Sequence, residues 1–108
     1  MSLLDSSLIR EAQPGVYYTN IHAYKECKPT GNRQPYILVE MFIDGVTVVD
    51  RWYASRIPYI MYQLRKQFHM DYMDCTLSQL LEYARTHEIR IYVDYDVRYG
   101  RQIDYSAN

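Results

Sequence analysis

The sequence predicts a mainly β, α+β domain of five strands with a helical insertion between the third and the fourth. Three observations carry this. Segments dense in β-branched and aromatic residues recur along the chain, two of them bracket an Asp-Gly dipeptide, and residues 55–87 change from a period of two to helical spacing. The 108 residues, 48% of them hydrophobic and 23% charged, suffice for one domain with an apolar core and argue against intrinsic disorder.

Residues 1–14 have mixed polarity, with Leu3, Leu4, Leu8 and Ile9 as a short apolar pattern, and read as an N-terminal arm to a single domain over residues 15–108. Residues 15–24 form the first expected strand, rich in Val, Tyr, Thr and Ile. Residues 25–34 collect Lys, Pro, Thr, Gly, Asn and Arg, the composition of an exposed loop, and hold Lys25, Lys28 and Arg33. Residues 35–43 and 46–53 are strands joined by Asp44-Gly45, a dipeptide that accepts the positive φ angles of a two-residue type I′ turn.

Ser55 is placed to cap a helix with Pro58 in its first turn, and Ile57, Ile60, Met61, Leu64 and Phe68 share one face of it. Thr76 and Gln79 have capping-box spacing before a second helix whose inner side is Leu77, Leu80, Leu81 and Ala84. Ile89, Ile91, Val93 and Tyr95 alternate with Arg90, Tyr92 and Asp94 as a half-buried fourth strand. A Gly-containing turn over residues 96–100 leads to a fifth strand over residues 101–105.

Strands one to three, a helix, then strands four and five is the order of an OB-fold, a five-stranded Greek-key barrel. Gly15-Val16-Tyr17, the residue 25–34 loop with Gly31-Asn32, the strand over residues 35–42 and Val49-Asp50 belong to a wider pattern. It continues through the helix at residues 60–64, the strand at residues 89–94 and Tyr99-Gly100-Arg101. Together they resemble the small phage and mobile-element proteins thought to bind single-stranded DNA through an OB-fold. The chain departs from that family in having few lysines and a second helix within residues 71–87. The resemblance implies an OB-like barrel and a non-catalytic role in replication or recombination.

The residues themselves supply a surface of that kind. With Asp44-Gly45 as a two-residue turn, Tyr36 opposes Tyr53, Leu38 opposes Arg51, Glu40 opposes Val49 and Phe42 opposes Thr47 on one face. The other face holds Ile37, Val39, Met41, Ile43, Val46, Val48 and Trp52 and is the better core, with Asp50 as its one misfit. A bulge in the third strand would move Asp50 outward and exchange the partners. The chain has thirteen tyrosines against two phenylalanines, and tyrosine suits a surface that is apolar in the ring and wet at the hydroxyl. The nucleic-acid-binding residues expected are Tyr36, Phe42, Arg51 and Tyr53 on the face, Lys25, Lys28 and Arg33 on one flanking loop, and Arg98, Tyr99 and Arg101 on the other.

Other chemistries find little support. The net charge of −1 excludes a globally basic binder. His22, His69, His87, Cys27 and Cys75 have no metal-ligand spacing, and the four glycines are isolated, so no metal, cofactor or phosphate loop is expected. No catalytic constellation is visible, so the chain is not read as an enzyme. No apolar run approaches the roughly 18–20 residues that span a bilayer, and no secretory signal is apparent, which gives a cytoplasmic expectation without a membrane partner. Single-stranded DNA is the expected partner. The alternative is an OB-like protein-interaction module, such as a phage-encoded accessory factor or an inhibitor of a host protein; a homo-oligomer is compatible with either.

Overall fold

The structure, a computed structural model, describes residues 12–71 and 74–107. It is an α+β fold of six strands in two three-stranded antiparallel sheets, with two helices between the fourth and fifth strands. The strands are β1 (Gly15–Thr19), β2 (Ile21–Cys27), β3 (Tyr36–Ile43), β4 (Val46–Tyr53), β5 (Ile89–Asp96) and β6 (Gly100–Asp104). The helices are α1 (Ile57–Gln67) and α2 (Leu77–Thr86). One sheet has the order β1-β5-β6 and the other β2-β3-β4. Apart from residues 12–14, the expected N-terminal arm lies outside the described residues.

Two expectations are corrected here: among the described residues there are six strands, not five, and the sheets do not close into a barrel. The expected first strand is two, broken at Asn20. Thr19 is buried and its hydroxyl donates to the Phe42 carbonyl at 2.6 Å, while the Asn20 amide donates to the Ala84 carbonyl at 3.4 Å. These side chains hold a corner at which the chain leaves one sheet for the other. The register of β2 against β3 then shifts between Ile21 and Ala23, a bulge at His22 that adds to the bend. β2 also runs to Cys27, so Lys25 is a strand residue and not a loop residue.

The hairpin follows the expected register throughout, from Ile43 opposite Val46 to Tyr36 opposite Tyr53. Asp44 and Gly45 take φ of 53° and 76°, as a type I′ turn requires. No bulge displaces Asp50, which points inward opposite Val39. It has partners there. Tyr105, fully buried just after β6, donates its hydroxyl to Asp50 Oδ2 at 2.6 Å. Trp52 Nε1 donates to the same oxygen at 3.1 Å and to the Tyr105 hydroxyl at 2.9 Å, and the two rings meet edge to face at 5.1 Å.

The α1 cap differs from expectation. Arg56, not Ser55, is the N-cap and makes no side-chain cap: the chain turns from Tyr53 to Arg56, whose N–H donates to the Tyr53 carbonyl at 2.8 Å, and the helix begins only after that turn, while the Ser55 N–H donates to Gln34 Oε1 at 3.0 Å. The Thr76/Gln79 capping box forms as expected. Ile60 and Leu64 of α1 and Leu80, Leu81 and Ala84 of α2 are buried with Ile21, Val39, Met41, Trp52, Ile89, Ile91 and Val93 in one core. Tyr24 on β2 donates to Glu82 on α2, which raises the tyrosine's pKa and lowers that of the carboxyl. No described helix is long and apolar enough to cross a membrane.

Burial, and then the neighbouring Asp50 charge, hold the Tyr105 hydroxyl well above its usual pKa. A hydroxyl that ionises less readily in the folded chain binds its proton more tightly there. Its contribution to stability is therefore complete below the unfolded tyrosine value of about 10 and is lost as pH rises beyond it. Tyr105→Phe should cost about 1.5–3 kcal/mol at neutral pH, through a hydrogen bond lost by a charged acceptor. Thermal melts of the variant should also fall off less steeply above pH about 10 than those of the parent.

Candidate functional site

The outer face of the β2-β3-β4 sheet can be set out in rows across the three strands. At one end Cys27, Tyr36 and Tyr53 lie side by side; next come Lys25, Leu38 and Arg51, then Ala23, Glu40 and Val49. Beyond them, near the hairpin turn, Phe42 stacks on the bulged His22 at 4.3 Å. The Tyr36 and Tyr53 rings lie 5.5 Å apart, and the Arg51 guanidinium sits 5.5 Å above the Tyr36 ring. An antiparallel sheet with one solvated face ordinarily presents polar residues there. This one presents Phe42, Val49 and Tyr53, all more than a third exposed.

Beside Arg51 and Tyr53 the two edge strands β4 and β6 leave a cleft of about 630 Å³. Its lining includes Asp50, Arg51, Tyr53 and Arg56 on one side and Tyr99, Arg101 and Gln102 on the other. Arg101 has the parity of the inward-facing Ile103, and its guanidinium reaches across the seam to the Val49 carbonyl. Arg56 stands 3.9 Å from Asp50 and donates to the Ile103 carbonyl at 2.6 Å. The turn carrying Arg98 and Tyr99 is shaped by Asp96, whose carboxylate accepts both their N–H groups at 2.7 and 3.0 Å. Gly100 follows with φ 75°, so the turn closes on a residue tolerant of the left-handed region. Tyr99 is 74% exposed at the mouth.

The structure thus lines one cleft with Arg51, Tyr53, Tyr99 and Arg101 and sets Tyr36 beside Tyr53 at the end of the sheet away from the hairpin turn, while Arg101 reaches the Val49 row, nearer that turn. The loop over residues 28–35, with Lys28 and Arg33, joins β2 to β3 at the Tyr36 end, although Lys28 also lies 4.0 Å from Glu26. Lys25 shares a row with Arg51. Phe42 is set apart near the opposite end, engaged with His22, whose Nε2 lies 3.3 Å from Glu40. Arg56 is absent from the residues the sequence marks for the site. Nothing local distinguishes it, because its role depends on Asp50 and on the carbonyl of Ile103, 47 residues away.

Parity separates the outer rings from the core on a single strand. Tyr36→Ala with Tyr53→Ala should cost about 1–2 kcal/mol, the loss of a cross-strand ring pair and a modest area. Trp52→Ala, one position from Tyr53, should cost about 3–5 kcal/mol through a buried cavity. Denaturant titration of the two variants side by side measures the difference.

Against protein-family models, curated proteins and solved structures, the chain matches none.

Proposed function

We propose that this protein binds single-stranded nucleic acid, single-stranded DNA in the first place, without catalysis, and that its two sheets are the halves of an OB-like barrel. The strand order supports the fold reading: going from β4 through β3 and β2, round the corner into β1, and on through β5 to β6 follows an OB barrel opened between its third and fifth strands. In such a barrel the outer face of the second and third strands holds oligonucleotides, flanked by the loops after the first and fourth. β3 and β4 occupy that place, and the flanking loops are residues 28–35 and 97–99.

One observation carries the functional reading, namely that the Tyr36/Tyr53 ring pair and the Arg51 guanidinium adjoin an arginine-lined cleft along the edge of that face. Rings offer stacking surface to any base, and guanidiniums offer charge to the phosphates between them. A single strand can splay its bases onto such a platform, whereas a duplex keeps its bases stacked within. The likeness of sequence pattern to phage and mobile-element proteins suggests service in replication or recombination.

Fluorescence anisotropy with internally labelled oligo-dT at low salt should show saturable binding, tighter than to a duplex of equal length. Each of Tyr36→Ala and Tyr53→Ala should weaken it by about 1–3 kcal/mol. With few cationic contacts, at about 0.7 in log-log slope per phosphate on a single strand, the salt dependence should be shallow beside that of a protein neutralising 6–10 phosphates. A flat titration up to about 50 μM protein, where affinity worth only about 6 kcal/mol would already register, overturns the reading in favour of a protein partner on this face.

A further inference from the structure

We infer that the cleft between β4 and β6 takes the phosphomonoester end of a single strand, an inference that rests on the single-strand reading. Charge is its first support. Arg51, Arg56 and Arg101 stand against the one carboxylate of Asp50, so the lining holds a surplus of two positive charges. An internal phosphodiester brings one negative charge. A phosphomonoester brings about 1.5 to 2 at neutral pH, with three strong acceptor oxygens that suit the planar fork of a guanidinium. The surplus matches the end of a strand better than its interior.

Shape is the second support. At about 630 Å³ the cleft falls in the range of about 300–1,000 Å³ that encloses a single small-molecule-sized unit. That is room for one terminal nucleotide, with Tyr53 and Tyr99 in the lining on the two sides of the seam. A strand lying along β3 toward the hairpin turn meets Glu40, opposite Val49, and then Asp44 in the turn itself, whereas the cleft opens at the other edge of β4. Both carboxylates repel a phosphate backbone. The electrostatics of the face therefore favour a strand that begins or ends at the cleft over one that runs the length of the sheet.

The test uses one length of oligo-dT, labelled on an internal base, with hydroxyls at both ends, a 5′-phosphate or a 3′-phosphate. One of the phosphorylated forms should bind about five- to tenfold tighter than the hydroxyl-ended form, the worth of one further charge in charge-assisted bonds at a partly exposed site. Arg51→Gln, at an exposed side chain, should remove most of that ratio, and Arg101→Gln should do the same from the opposite side of the seam. Equal affinity for all three oligonucleotides overturns the inference and leaves the single-strand reading standing, whereas no binding to any overturns both. A preference that survives both substitutions overturns it too, since the phosphate then lies elsewhere. So does equal oligonucleotide binding together with capture of a phosphotyrosine peptide, which assigns the cleft to a protein ligand.

Discussion

The carboxylate of Asp50 sits where the two sheets would otherwise part. On one side they share a continuous piece of chain, β1 bending into β2. On the other, β4 and β6 face each other as edges, and what joins them is a set of side chains: Asp50 and Trp52 from one strand, Arg101 from the other and Tyr105 from just past it. A half-buried carboxylate is costly unless its oxygens are occupied, and here an indole and a phenol both donate to it. Arg56 supplies the compensating charge and is itself anchored on the Ile103 carbonyl. The cluster that closes the core on its inner side therefore fixes a guanidinium on its outer side. The cleft owes its positive lining partly to a residue whose first task is structural.

Much of this was legible in the sequence where short-range rules apply. The Asp-Gly turn and a period of two were enough to place every cross-strand pair of the hairpin, and Thr76/Gln79 to place the start of α2. The break at Asn20 was not legible, because one asparagine stands between runs of β-branched and aromatic residues on both sides. What breaks the strand is a hydroxyl reaching the carbonyl of Phe42, 23 residues on. Asp50 was visible as a misfit by parity, but its explanation lies in Tyr105, 55 residues away. Ser55 looked like a cap by type, yet the turn leaving β4 puts Arg56 at the N-cap position. For the site, the rings and arginines on β4 and around the β5–β6 turn could be read from alternation and loop position. That they flank a common cleft could not, since it depends on how the sheets are set against each other.

The abundance of tyrosine divides between two uses. Tyr17, Tyr24, Tyr95 and Tyr105 direct their hydroxyls to Gln13, Glu82, Ala12 and Asp50, bonds that a phenylalanine could not make. They join the start of the described chain to β5, helix α2 to β2, and β4 to the residues after β6. Tyr53, Tyr59, Tyr62, Tyr92 and Tyr99 remain substantially exposed. Composition alone cannot tell the fastening phenols from the presented rings; strand parity and burial can.

The corner at Asn20 also orders the chain in time. Every pairing of the β2-β3-β4 sheet closes within residues 21–53, two successive antiparallel turns of contiguous chain. β1 lies immediately before them yet pairs only with residues 89–93. Closing that contact requires both helices and most of the sequence to be in place, and the entropy of so long a loop is met before its contacts form. As the chain leaves a ribosome, the meander has all its partners while the strand ahead of it still awaits its own. β1 spends that interval without the strand that will pair with its backbone.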